Sequence, residues 1–291
     1  MRVVVLAAGY GTRLHRELEA ERRAELRALH GTPKALLPVG AHPLLSRWMG
    51  LLGGCVADVC VVVSGRAPEG RTLHLLSQFL CRFSIRHQTN ELHRRRFDDW
   101  ARSFPGVRVV SDGTTTDKGR LGAVGSLHFA ISHFGIADDV LVIGGDTLLT
   151  QDFCLPDFLQ TFCDLQATSA PASLVLSYQC AEEETSKYGI LEVDEDGRAV
   201  SMKEKPSASA TTSRRACPCL YLLSRAAISL LPTFLEEKKS APLETKDAPG
   251  FFLSWLIARS PVYVYEVSGR FDVGNVASYL ECHSYFQNKE L

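Results

Sequence analysis

The chain of 291 residues lacks features that would assign it to several classes of protein. Its 32 lysines and arginines nearly balance its 33 aspartates and glutamates, and a net charge of −1 gives no support for a nucleic-acid or membrane surface. No apolar run is long enough to span a membrane, and Val3–Ala8 is too short for a secretory signal peptide. The nine cysteines include no Cys-x-x-Cys pair, which disfavours a zinc site. We therefore expect buried free thiols and, by default, a cytoplasmic location.

A glycine loop follows the first apolar run. Val3–Leu6 is rich in β-branched residues and predicts a short buried strand. Gly9 and Gly11 after it can take positive φ and let backbone N–H groups approach a phosphate. Arg13 and, further on, Lys34 add two cations suited to a polyphosphate. Taken alone, this loop fits a tight turn beside two solvated charges equally well.

Apolar runs alternate with helical or polar stretches along the rest of the chain. The predicted strands are Val59–Val62, Val107–Val110, Val140–Ile143, Leu174–Leu176, Ile190–Val193, Ala199–Met202, Leu220–Leu223 and Val262–Val267. This alternation predicts an α/β fold with a largely parallel sheet, in which ligands bind outside the carboxyl ends of the strands. We predict a single domain with a β-rich acceptor-binding subdomain in its second half.

Two helix predictions concern the surroundings of the loop. Leu14–Leu29 is charged and rich in helix formers, so it predicts one helix. Phe97, Trp100 and Phe104 fall on one helical face, and the arginines at 94–96 beside them are typical of a solvated face.

Two acidic residues follow apolar runs. Asp146 follows Gly144-Gly145 at the end of a strand, and Asp272 comes shortly after Val262–Val267. Carboxylates in such positions suit Mg²⁺, a hard cation that takes oxygen ligands together with substrate phosphates. An isolated Gly-Asp is more often a turn, and the sequence alone does not bring the two acids together.

Three further motifs fit a second substrate and a base. Lys205 offers a point charge for a monophosphate, and Glu204 can accept hydrogen bonds from hydroxyl groups, although the pair alone is typical of an exposed turn. Gly189 allows a close backbone approach to a ligand. Gly122 and Gly125 could open a helix and admit a flat ring.

In their order along the chain, these motifs resemble the nucleotidyltransferase family of sugar-phosphate nucleotidylyltransferases, the nucleotide-sugar pyrophosphorylases. The similarity runs from residue 2 to about residue 286 and is greatest to glucose-1-phosphate thymidylyl- and uridylyltransferases. It implies a Rossmann-like, mostly parallel twisted sheet with helices on both faces, of the GT-A-like type. Residues 1–150 would form the nucleotide-binding half and residues 151–291 the sugar-phosphate-binding half.

The resemblance also implies a set of site residues. Those that bind the nucleotide would be Leu6, Ala7, Ala8, Gly9, Gly11, Thr12, Arg13, Lys34, Ser111 and Gly122. Those that bind the sugar phosphate would be Gly189, Glu204 and Lys205. Asp146 and Asp272 would hold Mg²⁺, and the catalytic cations would be Arg13, Lys34 and Lys205.

The implied reaction is Mg²⁺-dependent transfer of a nucleoside monophosphate from a nucleoside triphosphate, with UTP or dTTP favoured. A sugar 1-phosphate oxygen would attack the α-phosphorus in line, and pyrophosphate would leave without a covalent enzyme intermediate. One alternative is cytidylyl transfer to a non-sugar phosphate such as phosphocholine. Another is a catalytically silent regulatory protein that binds nucleotide sugars, although that reading predicts the loss of charged positions that are present here.

The sequence departs from the family pattern in three places. His15–Thr32 separates Arg13 from Lys34 by an insertion, a candidate for a lid or for a contact in a homo-oligomer. Ser111 and Asp112 stand where pyrimidine-specific members carry a glutamine, so the base is left open. The chain ends soon after Asp272 without a left-handed β-helix, so no acetyltransferase activity is implied.

Residues 63–88 form an atypical insertion with no counterpart in the family. One hypothesis is a retained intron, since Val63-Ser64 can be encoded by the donor-like GTGAGT and Gln88 by the acceptor-like CAG. The alternative is a genuine excursion with a short helix at Leu73–Leu80.

Overall fold

The computed structural model describes residues 1–53, 58–64, 90–150 and 152–289, except for the side chains of residues 90–92. Both hypotheses on the atypical insertion concern residues that lie almost entirely outside this description. The strands are β1 (Arg2–Leu6), β2 (Pro38–Val39), β3 (His42–Pro43), β4 (Val59–Val63), β5 (Val107–Ser111), β6 (Val140–Gly144), β7 (Thr147–Leu149), β8 (Ser173–Gln179), β9 (Gly189–Val193), β10 (Ala199–Glu204), β11 (Arg215–Cys217), β12 (Leu220–Leu223), β13 (Val262–Glu266) and β14 (Arg270–Asp272). The helices are α1 (Thr12–Ala20), α2 (Ala24–Arg27), α3 (Leu44–Leu52), α4 (Asn90–Ala101), α5 (Gly122–Phe134), α6 (Leu155–Ser169), α7 (Arg225–Ser229), α8 (Leu231–Glu237), α9 (Pro249–Ile257) and α10 (Val276–Gln287).

One large mixed sheet organises the chain. Its strand order is β10-β9-β11-β8-β12-β6-β1-β4-β5, with β13 also paired to β8. The strands β6, β1, β4 and β5 are parallel, whereas β12 and the strands beyond it pair antiparallel except for β13 with β8. The predicted α/β architecture is confirmed, with parallel strands in the first half and a β-rich second half.

Helices cover both faces of the sheet, as the apolar runs require. The parallel strands β1, β4 and β6 are buried on both faces, which explains their unbroken apolar sequences. On one face they pack against buried side chains of α1, α3 and α6, such as Leu14, Trp48 and Phe158. On the other face they pack against α5, and the same core cluster continues into α8 and α9, with side chains such as Leu127 and Phe252.

The single helix predicted over Leu14–Leu29 is wrong, because the chain breaks between α1 and α2. Glu21 has an extended backbone, and its carboxylate accepts the N–H of Arg22 at 2.8 Å. The same carboxylate accepts the guanidinium of Arg23 at 2.7 Å. Side-chain oxygen therefore takes the N–H groups that a continuous helix would have bonded internally.

The prediction of a solvated face for the arginines at 94–96 holds only for Arg95, which is exposed. Arg94 is buried and donates to the carboxylate of Asp98 at 2.8 Å. Arg96 donates to the Gly31 carbonyl at 2.9 Å and to Thr32 Oγ1 at 2.7 Å. The two bonds from Arg96 anchor the end of the His15–Thr32 insertion on α4.

Within the described part of the chain, every helix is too short or too polar to cross a lipid bilayer. The cytoplasmic location and the homo-oligomer remain predictions.

Candidate active site

The ends of β1 and β6 meet at a point where only glycine fits. The Gly145 N–H donates to the Leu6 carbonyl at 2.9 Å. A Cβ at Gly145 would lie 2.9 Å from that carbonyl oxygen, which belongs to the backbone and cannot move aside. This close approach places Asp146 beside the glycine loop.

The glycine loop leads into the amino end of α1. Gly11 has φ +62° and precedes the helix, whose first N–H groups have no intrahelical partners. A Cβ at Gly11 would lie 3.3 Å from Lys34 Cε, so the Lys34 side chain passes over the loop. Arg13 Nε donates to the Gly274 carbonyl at 3.1 Å, which links α1 to the turn after Asp272.

A short ladder between β7 and β14 brings the two predicted metal ligands together. Thr147 pairs with Asp272, and the Val273 N–H donates to the Asp146 carbonyl at 2.9 Å. Burial raises the pKa of Asp272, and the nearby charge of Asp146 raises it further. The positive charges of Arg270 and Lys34 oppose that rise.

Each of these carboxylates also has a cationic partner. Lys34 Nζ lies 3.4 Å from Asp146 Oδ2, and Arg270 NH1 lies 3.3 Å from Asp272 Oδ2. Two carboxylates side by side fit a hard divalent cation whose remaining ligands are phosphate and water oxygens. Among the described residues no group of three or more His, Cys, Asp or Glu side chains is arranged to hold a metal.

Two adjoining cavities open beside the loop. The first encloses about 620 Å³, and its lining includes Leu6, Ala8, Gly9, Tyr10, Thr12, Lys34, Asp112, Arg120, Gly122, Ala123, Ser126, Asp146, Lys205 and Asp247. The second encloses about 720 Å³, and its lining includes Arg13, Tyr178, Lys187, Tyr188, Lys205, Arg270, Asp272 and Asn275. Lys205 lines both cavities and so stands where they meet.

Lys205 has an unusual backbone. It is the one non-glycine residue with positive φ in the described chain, at φ 50°. Its N–H donates to the Tyr188 carbonyl at 3.0 Å, which holds the turn in place. A left-handed conformation costs a lysine roughly 1 kcal/mol or more. Residues with strained backbone conformations cluster at functional sites, and Lys205 lies in a cavity wall.

The predicted site residues divide into three groups. Leu6, Ala8, Gly9, Thr12, Lys34, Gly122, Asp146 and Lys205 line the first cavity. Arg13, Lys205 and Asp272 line the second. Outside both cavities, as the described residues outline them, lie Ala7, Gly11, Ser111, Gly189 and Glu204.

Glu204 is packed under α9. A Cβ at either Gly189 or Gly250 would collide with its carboxylate or with the neighbouring Met202, so the two glycines let these side chains pack between β9 and α9. Burial raises the pKa of Glu204, and the positive charge of Lys205 opposes that rise.

Asp112 lies in the wall of the first cavity, whereas its neighbour Ser111 does not. From the sequence, Asp112 is only a departure from the family pattern and not a predicted site residue. Its carboxylate accepts the hydroxyl of Thr114 at 2.7 Å and that of Ser126 at 3.0 Å. Burial raises the pKa of Asp112, whereas these hydrogen bonds lower it. The signal that could have found it is its place directly after the parallel strand β5, much as Asp146 follows β6 one residue further on.

Arg120 and Asp247 form a bridge that sequence reasoning missed. Arg120 Nε lies 2.9 Å from Asp247 Oδ2, and Asp247 Oδ1 accepts the Ala123 N–H at 2.9 Å. A Cβ at Gly122 would lie 2.9 Å from Asp247 Oδ1, so the start of α5 is closely packed on this bridge. More than a hundred residues separate the partners, and no local pattern signals their contact.

The family profile described as nucleotidyl transferase matches residues 29–289. The chain belongs to the nucleotidyl transferase family. The matched range contains Lys34, Asp146, Lys205 and Asp272, and it begins after the glycine loop.

Individual relatives of this nucleotidyl transferase are distant. A UTP–glucose-1-phosphate uridylyltransferase from Synechocystis is 25% identical over 236 residues, covering 80% of this chain and 51% of that protein. The bifunctional protein GlmU from Methanococcus maripaludis is 20% identical over 290 residues, covering 99% of this chain and 55% of that protein. The chain thus spans about half the length of these curated relatives. The solved structure of a UDP-glucose pyrophosphorylase with UDP-glucose has a TM-score of 0.69 at 20% identity, covering 99% of this chain and 98% of that one, and shows the same fold.

Proposed function

We propose that this chain transfers a nucleoside monophosphate from a nucleoside triphosphate to a sugar 1-phosphate and releases pyrophosphate. The observation that carries the proposal is the convergence of Lys34, Asp146 and Lys205 on one cavity at the carboxyl ends of β1 and β6. The uridylyltransferase of Synechocystis and the complex with UDP-glucose support it. With the family resemblance, they favour UTP or dTTP as the donor.

The protein's own contribution would be to position phosphates and to balance their charge. The glycine loop and the amino end of α1 would bind the triphosphate, with Lys34 over the loop. Arg13 and Lys34 would hold the departing pyrophosphate. Lys205, at the junction of the two cavities, would hold the acceptor phosphate for attack in line with the leaving group.

Asp146 and Asp272 would hold Mg²⁺, which when bound neutralises charge on the reacting phosphates. Lys34 and Arg270 pair with these carboxylates in the described structure and keep them oriented.

No feature of the residues that the structure describes favours transfer to phosphocholine. An acceptor with a quaternary amine would need an aromatic cage. The aromatic pair beside Lys205, Tyr178 and Tyr188, holds the guanidinium of Arg270, which lies 4.6 Å from the centre of the Tyr188 ring. The charged positions that a silent regulatory protein could lose are all present.

A substrate panel tests the proposed reaction. Pyrophosphate release is measured for UTP, dTTP, CTP, GTP and ATP, each with several sugar 1-phosphates, with Mg²⁺ and with a chelator. We expect turnover with UTP or dTTP that requires the sugar 1-phosphate and is lost with the chelator. Absence of turnover with every pair would refute the proposal.

The role of Lys205 has a matched control in Lys203. Lys205→Met should raise the KM for the sugar 1-phosphate about ten- to a hundredfold, because a charge-assisted hydrogen bond is lost, and should leave the KM for the nucleotide nearly unchanged. Lys203→Met, two residues earlier, removes a charge that pairs with Glu192 at 3.3 Å, and should leave both values unchanged. Equal effects of Lys205→Met on both KM values would assign it another role.

A further inference from the structure

The ring of His15 and the side chain of Lys34 pack on the same glycine. A Cβ at Gly11 would lie 3.3 Å from His15 Cδ2 and 3.3 Å from both Cγ and Cε of Lys34. Because Gly11 has no side chain, these two neighbours occupy the space over the glycine loop. From there Lys34 reaches Asp146, whose Oδ2 lies 3.4 Å from the Lys34 Nζ. The His15 ring therefore lies beside the part of Lys34 that crosses the loop.

The same ring also holds the turn that leads to Lys34. The Gly31 N–H, three residues before Lys34, donates to His15 Nδ1 at 3.3 Å. Gly31 has φ +77°, a conformation that favours glycine. Arg96 of α4 donates to the Gly31 carbonyl at 2.9 Å and to Thr32 Oγ1 at 2.7 Å. The last turn of the insertion is thus held by side chains from two elements, α1 and α4.

The bond from Gly31 requires a neutral His15. Both ring nitrogens of a protonated histidine are donors, so Nδ1 could then no longer accept the Gly31 N–H. The charged and titratable groups that act on the ring are cations or other histidines, and all of them favour its neutral form: His93, His30, Lys34 and Arg96. Burial, together with these groups, lowers the pKa of His15 to about 4. At neutral pH, Nδ1 is therefore an acceptor and Nε2 carries the proton.

We infer that His15 is a positioning residue, which packs beside Lys34 on the glycine loop, accepts the Gly31 N–H and so holds the Lys34 ammonium where the triphosphate binds. The inference rests on the proposed function for the role of Lys34. A lysine carries its charge on a flexible stem of four carbons, so the ammonium stays in one place only when the stem is held. The insertion thereby contributes to the site, because its last turn and the His15 ring together brace Lys34.

A double-mutant cycle with Lys34 tests the inference. Dissociation constants for UTP and dTTP with Mg²⁺ are measured by calorimetry, and kcat by pyrophosphate release, for the wild type, His15→Leu, Lys34→Met and the double variant. We expect His15→Leu to weaken nucleotide binding and to lower kcat, each about three- to tenfold, because a hydrogen bond is lost and Lys34 is less well held. In the Lys34→Met background, the same replacement should change either value by less than about twofold. A merely structural role would give equal effects in both backgrounds.

Two variants serve as controls. His15→Asn keeps an acceptor oxygen at the place of Nδ1 and should bring both values to within about twofold of the wild type. His30 is exposed, and its ring meets the His15 ring edge-on with 5.6 Å between centroids, but the acceptor of the Gly31 N–H is His15. His30→Leu should therefore leave both values unchanged.

Equal effects of His15→Leu in both backgrounds, or an equal loss in His15→Asn or His30→Leu, would overturn the inference. If His15→Leu unfolds, Arg96→Leu takes its place in the cycle, because it releases the same turn from α4, and equal effects in both backgrounds would again overturn the inference. The expected coupling in nucleotide binding without turnover would refute the proposed function alone. Turnover with equal effects in both backgrounds would refute only the inference, and absence of nucleotide binding would refute both.

Discussion

Replacement of Asp146 by asparagine should separate catalysis from folding. The Asp146 side chain is 41% exposed, and its ion pair with Lys34 spans 3.4 Å. A pair of this exposure contributes up to about 1 kcal/mol, and its loss should lower the melting temperature of a domain of this size by roughly 4 °C or less. The variant should therefore remain folded.

Activity should fall much further than stability. A preorganised group that balances charge in a transition state contributes about 3–4 kcal/mol, which corresponds to a loss of about a hundred- to a thousandfold in kcat. The assay is pyrophosphate release at saturating nucleotide, sugar 1-phosphate and Mg²⁺, alongside a thermal melt. Glu192→Gln is the control, because Glu192 is 39% exposed, pairs with Lys203 at 3.3 Å and lies outside both cavities. Near-normal turnover of Asp146→Asn, or a melting temperature far below that of Glu192→Gln, would refute the reasoning.

Two further predictions concern the surroundings of the site. Trp48 is fully buried, and its indole N–H donates to the Thr147 carbonyl at 2.7 Å. Trp48→Phe should leave that carbonyl unpaired and lower the free energy of unfolding by about 1–3 kcal/mol. Urea titrations measure this change, and an unchanged midpoint would contradict the prediction. Burial, with the neighbouring His93 and His30, lowers the pKa of His15 to about 4 from an ordinary value of 6.5. The unfolded state then binds more protons between these values, so the stability that this group contributes is present above pH 6.5 and is lost as the pH falls towards 4. His15→Gln should flatten the fall of stability over this range, and an equal slope in both proteins would contradict the assignment.

The parallel half of the fold could be predicted because its strands are buried on both faces. Unbroken apolar runs such as Val59–Val62 and Val140–Ile143 predict a strand without any knowledge of the neighbouring strands. The short strands β7 and β14 carry no such signal. They form because Thr147 and Asp272, far apart in sequence, pair across a ladder of three residues.

The helical prediction for the insertion failed for a local electrostatic reason. Helix propensity favours a continuous helix from Leu14 to Leu29, but Glu21 binds the N–H groups of Arg22 and Arg23 and stops it. The buried Arg94 of α4 was missed for a similar reason, since its pairing with Asp98 outweighs its preference for water.

The charged residues of the candidate site could be predicted from the sequence, but the residues that pair with them and hold them in place could not. Lys34, Asp146 and Asp272 follow turns or strand ends, where ligand-binding residues in α/β folds are expected. Arg270, which pairs with Asp272, and Asp247, which packs on Gly122, act through contacts distant in sequence. Such contacts depend on how the elements pack, which local patterns do not specify.

The most direct test of the proposed activity is product analysis with the wild-type protein. The chain is incubated with UTP or dTTP, Mg²⁺ and a sugar 1-phosphate, and products are separated and identified by mass. The account predicts a nucleotide sugar and pyrophosphate in equal amounts, neither of them formed without the sugar 1-phosphate. Pyrophosphate or phosphate released without the acceptor, or no nucleotide sugar with any acceptor, would contradict it.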